Sequence, residues 1–241
     1  MNKYLLTRFI DKYHLSGNVN SVVLSSDGTT LSTRFITGDK SLLGHLKLSE
    51  FDYFGKSELG VYNTETLTKL LGVLGDDIKP NVVTSGDKSI SVSFNDGGAS
   101  INFMLSDLSV INTPPALKSI PDFEVKVDIT PQFISKFIAG KSALPEVDSF
   151  TVITKDDSVD IVINHQNINT NKVVLPVSVD EITDTIENIS FDANLFKEVL
   201  SANKECTSST LEVSSGGLAR INFKVDNYDA TYYFVSKTDV D

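Results

Sequence analysis

The chain has 241 residues, 40% of them apolar, enough for one large domain or two of ordinary size with a real core. Its net charge of −11 argues at first sight against a nucleic-acid partner. The single cysteine, Cys206, excludes an internal disulfide, and no Cys/His group has zinc-ligand spacing. Lys3 and Arg8 interrupt the first apolar residues, unlike a secretory leader, and no run approaches the ~20 apolar residues of a membrane helix. The expectation is an acidic globular protein of a reducing, cytosolic compartment without a membrane role.

The elements follow in chain order. Leu5, Leu6, Phe9, Ile10 and Tyr13 recur at helical spacing, with Thr7, Arg8, Asp11 and Lys12 on the other side, and predict a helix over 2–13. Val22–Ser25 and Leu31–Phe35 flank the turn SDGT, a hairpin signal. A helix over 65–74, capped by Thr64, would bury Leu67, Leu70, Leu71 and Leu74. Ile90–Phe94 and Ala99–Leu105 flank NDGG as a further hairpin. The stretch Ser109–Glu124 holds three prolines and reads as a linker; Thr113 and Pro114 each precede a proline and stay extended. Phe123–Ile129 reads as a strand. Thr130 is a candidate N-cap and Pro131 a first helical residue, opening a helix over 131–141 that Gly140 can end. Its buried side is Phe133, Ile134, Phe137 and Ile138. Phe150–Thr154 and Val159–Asn164 flank KDDS. Asp192 caps a helix over 193–205 that buries Leu195, Phe196, Val199 and Leu200, and Arg220–Val225 and Ala230–Val235 flank DNYD.

Four of these blocks occur twice, in order and at nearly constant spacing. Leu5–Ile10 matches Phe133–Ile138, Val22–Gly28 matches Thr151–Asp157, Thr64–Leu71 matches Asp192–Val199, and Ile90–Phe103 matches Ile221–Phe234. Each match alone is weak, since amphipathic helices and hairpins resemble one another; the series points to an internal duplication. The reading is an α+β protein of two similar domains, each with two short helices on a mostly antiparallel sheet. Residues 1–108 form the first domain, 109–122 a connector and 123–241 the second.

No phosphate loop, dinucleotide fingerprint or nucleophile elbow is present. His14, His45 and His165 are isolated in sequence. Asp76–Asp77 and Asp156–Asp157 sit where turns are expected, and Asn188-Ile189-Ser190 is a glycosylation pattern that a cytosolic chain would not use. The sequence supports no enzyme activity, catalytic residue, metal or cofactor.

The charge is segregated. The four predicted helices carry Lys3, Arg8, Lys12, Lys69, Lys136, Lys141, Lys197 and Lys204 against Asp11, Glu65, Glu198 and Glu205, a balance of +4 that leaves −15 on the remainder. Arg8 and Lys136 occupy equivalent repeat positions, as do Lys69 and Lys197. Lysines on exposed helix faces also serve solubility. The sharper reading is that all four helices face one polyanion and hold a phosphate backbone loosely, without reading sequence.

The duplicated helix–hairpin–helix–hairpin layout, the proline-bearing connector, the acidic total and the cationic helices together resemble the DNA sliding clamps. The nearest type is two-domain and homotrimeric, represented by proliferating cell nuclear antigen and the phage polymerase clamps. The resemblance covers essentially the whole chain and rests on organisation more than on signature residues. One departure is visible: in the family each half begins with a strand, and here only the second half has one, Phe123–Ile129.

The resemblance implies a ring of three subunits around double-stranded DNA, opened by an ATP-dependent clamp loader and tethering a DNA polymerase, with no catalytic activity. It implies a replisome location, in the host cytoplasm if the protein is viral. It would turn the eight helix cations toward DNA in water-bridged or fleeting contacts. It would pair Ala99–Asp107 of one subunit with Lys172–Val179 of the next, so that Ala99, Ile101, Phe103, Leu105, Val173, Leu175 and Val177 belong to the subunit interface; Pro176 suggests a short one. It would place a partner peptide against Val110, Ile111, Leu117 and Ile120 of the connector, with Leu43, Tyr233 and Val235 as pocket floor and the tail KTDVD beside them. The same connector residues could instead pack onto the sheets. A monomeric clamp-like accessory factor, and a two-domain structural or assembly protein without a DNA role, stay open as alternatives.

Overall fold

In a computed structural model, described for residues 1–115, 119–155, 158–166, 168–186 and 188–237, the chain divides into two compact units. The first holds residues 1–36, 44–115 and 227–230; the second holds 37–43, 116–226 and 231–241.

The first unit opens with α1 (Lys3–His14), capped by the Asn2 side chain, which accepts from the Tyr4 N–H at 2.8 Å. Strands β1 (Val22–Asp27), β2 (Thr30–Ile36), β3 (Leu42–Ser49) and β4 (Lys56–Val61) pair in the order β3-β2-β1-β4. Helix α2 (Thr64–Leu71) follows, then β5 (Lys79–Ser85), β6 (Lys88–Asn95) and β7 (Ser100–Met104), an antiparallel sheet in sequence order. Alternation writes the sheet faces: Leu31, Thr33 and Phe35 of β2 point inward. The Leu6, Phe9, Ile10 and Tyr13 stripe of α1 is buried, and the Tyr13 ring lies 6.2 Å from Phe35. Each such side chain withdrawn from water contributes roughly 1.5–3 kcal/mol before entropy is counted.

The second unit repeats this plan. It runs β8 (Val125–Ile129), α3 (Pro131–Ala143), β9 (Ser149–Lys155), β10 (Ser158–Ile163), β11 (Val173–Val177), β12 (Val179–Ile182), β13 (Ile189–Asp192), α4 (Ala193–Ala202), β14 (Ser209–Ser214), β15 (Leu218–Val225) and β16 (Tyr228–Val235). Its strands pair as β11-β10-β9-β13 and β12-β8-β14-β15-β16, the same orders as in the first unit with β8 and β12 added. All four repeated sequence blocks fall on equivalent elements: α1 and α3, β1 and β9, α2 and α4, and the hairpins β6–β7 and β15–β16. The core is aromatic: Phe137 stands 4.9 Å from Phe196 and 5.5 Å from Phe150, and Phe196 stands 4.6 Å from Phe150 and 5.5 Å from Phe234.

The missing leading strand of the first half is reduced to one bridge. Asn2 pairs with Asp77, the Lys3 N–H donates to the Asp76 carbonyl at 2.7 Å, and the Ile78 N–H donates to the Met1 carbonyl at 2.9 Å. Four expectations of detail change. Helix α4 stops at Ala202 rather than at residue 205, so Lys204 lies beyond its end. Gly140 does not end α3, which runs on to Ala143. A Cβ there would come within 3.1 Å of Val173 and 3.3 Å of Ile163, so the missing side chain lets the helix lie close on β10 and β11. Helix α2 stops at Leu71 rather than at residue 74, and its cap is Asn63, whose side chain accepts from the Thr66 N–H at 2.8 Å. Asp156 and Asp157 lie outside the described residues.

Candidate nucleic-acid interface

The eight cations expected on the helices separate into distinct environments. Lys69, Lys136 and Lys204 are exposed; Lys3, Arg8 and Lys197 are half-buried. Lys12 and Lys141 are 1% and 3% exposed, against the expectation that they face DNA with the other six. The Lys141 ammonium donates to the carbonyls of Leu144 at 3.3 Å and Pro145 at 3.1 Å, closing the C-terminal turn of α3. The Lys12 ammonium lies 5.4 Å from the centre of the Tyr228 ring. Both occupy the last turn of the first helix of their unit, where carbonyls and aromatic faces draw a cation inward.

Several of the accessible cations already have local partners. Lys69 pairs with Glu65 one turn earlier at 2.6 Å, and that contact holds the Glu65 carboxyl below its ordinary range. The Lys3 ammonium donates to the Leu74 carbonyl. Arg8 lies between two rings, its guanidinium 5.3 Å from the centre of Tyr4 and 4.8 Å from that of Tyr228, whose hydroxyl donates to the Leu5 carbonyl at 2.7 Å. This aromatic clamp was missed from sequence. Tyr4 stands four residues before Arg8 on one helix face, a readable signal; Tyr228 comes from the far end of the chain and gives none.

The strands expected to join subunits are both terminal in their sheets: β7 ends the sheet β5-β6-β7, and β11 ends β11-β10-β9-β13. Ile101 and Phe103 of β7 and Leu175 and Val177 of β11 turn inward, whereas Ala99, Leu105 and Val173 are half-buried. Met104 and Val174 stand 63% and 43% exposed on the outer faces of these edge strands.

Of the residues expected to receive a partner peptide, Val110, Ile120 and Val235 are exposed, Leu43 and Tyr233 are half-buried, and Ile111 is buried. Leu117 and tail residues 238–241 lie outside the described residues. Within the second unit the Val235 N–H donates to the Ser41 carbonyl at 2.9 Å, bringing the strand end toward the segment that carries Leu43. Beside it Lys237 bridges Asp148 at 2.8 Å and Asp192, the cap of α4, at 3.5 Å; the ammonium holds the Asp148 carboxyl below its usual range.

The His14 ring bonds the Val19 carbonyl at 2.7 Å, and partial burial, with Arg34 and Lys47 nearby, lowers the His45 pKa. Among the described residues no group of three or more His, Cys, Asp or Glu side chains could hold a metal ion, and no helix is long and apolar enough to cross a membrane.

No protein-family model matches the chain, and no curated protein matches its sequence. Its fold has solved counterparts. The crystal structure of proliferating cellular nuclear antigen from Entamoeba histolytica matches with a TM-score of 0.74 at 15% sequence identity, over 99% of this chain and 97% of that one. With its helix–sheet plan stated twice in the same strand order, the chain has the fold of the DNA sliding clamps.

Proposed function

We propose that the chain is a DNA polymerase processivity factor, a sliding clamp that closes with two further copies into a ring around duplex DNA. The observation that carries this reading is the match of the whole duplicated fold, end to end, to a proliferating cellular nuclear antigen. Residues 1–108 and 123–241 act as the two clamp domains and 109–122 as their connector. The accessible cations Lys3, Arg8, Lys69, Lys136, Lys197 and Lys204 meet the phosphate backbone without reading bases. The open edges of β7 and β11 pair between subunits, each supplying main-chain groups that its own sheet leaves unused. The connector and the segment around Tyr233 and Val235 receive a short apolar peptide from the polymerase, and a separate ATP-driven loader opens the ring. The chain works by tethering and performs no catalysis of its own. Its place is the replisome in the cytoplasm, that of the host if the protein is viral.

Retention is topological: a closed ring cannot leave DNA sideways, so weak contacts suffice and sliding remains free. The acidic remainder repels DNA from the outer surface. Light scattering should give a mass near three times 26.3 kDa. Once loaded, the ring should stay on nicked circular DNA and run off the same DNA after linearisation. Monomer up to tens of micromolar, or equal retention on both DNAs, would overturn the reading. Pro176, which supplies no N–H to a ladder, favours a second reading as a monomeric accessory factor that binds DNA by affinity and is steeply salt-sensitive.

A further inference from the structure

We propose that the outer edge of β4 is a docking site for an extended, lysine- or arginine-bearing peptide segment of a partner protein. The inference concerns the first unit alone and does not rest on the clamp reading.

Strand β4 is terminal in its sheet, with β1 on one side only. The Ser106 N–H donates to the Gly60 carbonyl at 2.9 Å, so Gly60 turns its main-chain groups away from β1. Its partner Val23 agrees: the Val23 carbonyl accepts the Thr33 hydroxyl at 2.9 Å and so faces β2 rather than β4. Main-chain direction alternates along a strand, and Glu58 and Lys56 therefore present their N–H and C=O groups outward as well. Among the described residues no backbone bond reaches them from that side. Up to four main-chain hydrogen bonds are on offer to an incoming strand.

The edge already accepts an added chain at one end. Ser106 sits on it at Gly60 so closely that a Cβ on Gly60 would come within 2.3 Å of the Ser106 carbonyl oxygen. The second unit repeats the arrangement, with the Lys237 N–H donating to the Ser190 carbonyl of the terminal strand β13 at 2.8 Å. Beyond Ser106 the space beside Lys56–Glu58 widens into a groove of about 940 Å³. Its charged lining is Asp27, Glu58, Asp87 and Asp107 against Lys56 and Lys88, with Lys88 and Asp107 already paired at 3.0 Å. Serine and threonine hydroxyls from β1, β2 and the β5–β6 hairpin line it further, with Phe54, Val82 and Leu108 as its apolar part. A strand entering here gains main-chain bonds from β4 and places cationic side chains among surplus carboxylates; an acidic strand or a phosphate backbone is repelled.

The test is an NMR titration of the full chain with the synthetic peptide KTVKVTK. Amide shifts should centre on Lys56–Glu58, and the Glu58 amide should exchange more slowly. The same peptide N-methylated at its central residues should bind at least about tenfold more weakly, because it cannot complete the ladder. The peptide ETVEVTE should not bind. Glu58→Pro deletes the outward N–H without touching the pairing to β1 and should abolish the response. Should that variant fail to fold, Glu58→Lys should weaken KTVKVTK and admit ETVEVTE. Shifts scattered over acidic residues elsewhere, equal binding of the N-methylated peptide, or no response at millimolar peptide would overturn the proposal. So would slowed Glu58 exchange that grows with protein concentration alone, which would make the occupant a second copy, or the same shifts with duplex DNA.

Discussion

Lys141 and Lys136 share one helix, and the structure gives them opposite environments. Lys141 is 3% exposed, with its ammonium on the carbonyls of Leu144 and Pro145. Lys141→Met keeps most of the aliphatic volume but removes two charge-assisted hydrogen bonds, each worth about 1.5–3 kcal/mol against an unmade bond. The ammonium also costs free energy to bury, and removing that cost returns part of the loss. The net destabilisation should be about 1–3 kcal/mol, read as a lower urea midpoint at unchanged slope. Lys136 is exposed, and Lys136→Ala should stay within about 0.5 kcal/mol of the parent. In binding to short linear duplex DNA the pattern reverses. Lys136→Ala should lower the slope of log K against log salt by about 0.9 for each phosphate the side chain neutralised, and Lys141→Met should leave it unchanged. A Lys141→Met protein of full stability and reduced salt slope would refute the assignment of Lys141 to the helix end.

Gly44→Ala would drive a Cβ to 2.1 Å from the Phe35 ring across the β2–β3 pair; overpacking should cost about 1–3 kcal/mol, measured by thermal unfolding. Phe196→Ala removes a ring that touches Phe137, Phe150 and Phe234 and should cost about 3–5 kcal/mol in the same assay. The Asp96 carboxylate accepts the N–H groups of Gly75, Gly98 and Ala99, which lowers its pKa to about 2. Its folded value lies below its unfolded one, so its contribution is complete above the ordinary carboxylate pKa and is lost as pH falls toward 2. Asp96→Asn should therefore be less stable than the parent at pH 6 and close to it at pH 2, by urea midpoints at the two values.

The duplicated fold was legible because both halves use the same periodicities. The stripe Leu6, Phe9, Ile10, Tyr13 is helical whatever surrounds it, and each hairpin declares itself by a turn between alternating strands. What sequence could not supply was the tertiary choice at single positions. Lys12 and Lys141 look like surface residues by type, and only the carbonyls and rings that fold over them turn them inward. Gly140 has the composition of a helix end, but the closeness of Val173 and Ile163 makes it a packing glycine in the body of α3. The clamp around Arg8 needs Tyr228, more than two hundred residues away, and no local pattern predicts that pairing.

The engaged state of three accessible cations bears on how such a surface would hold DNA. Lys69 is paired with Glu65, Lys3 bonds the Leu74 carbonyl, and Arg8 is stacked on Tyr4 and Tyr228. A phosphate reaching Lys69 must displace or share a carboxylate 2.6 Å away, so the net gain is the small difference of two ion pairs in water. A protein that relied on affinity would gain little from cations so engaged. A ring that relies on closure gains from it, because each phosphate is met and released at nearly constant free energy as the duplex moves. Glu65→Gln separates the two designs. Releasing Lys69 should tighten binding to linear DNA and slow diffusion along it, and an affinity-based binder would show the first effect as improved processivity. A clamp should show the second as unchanged or reduced processivity, measured by primer extension on a nicked circle.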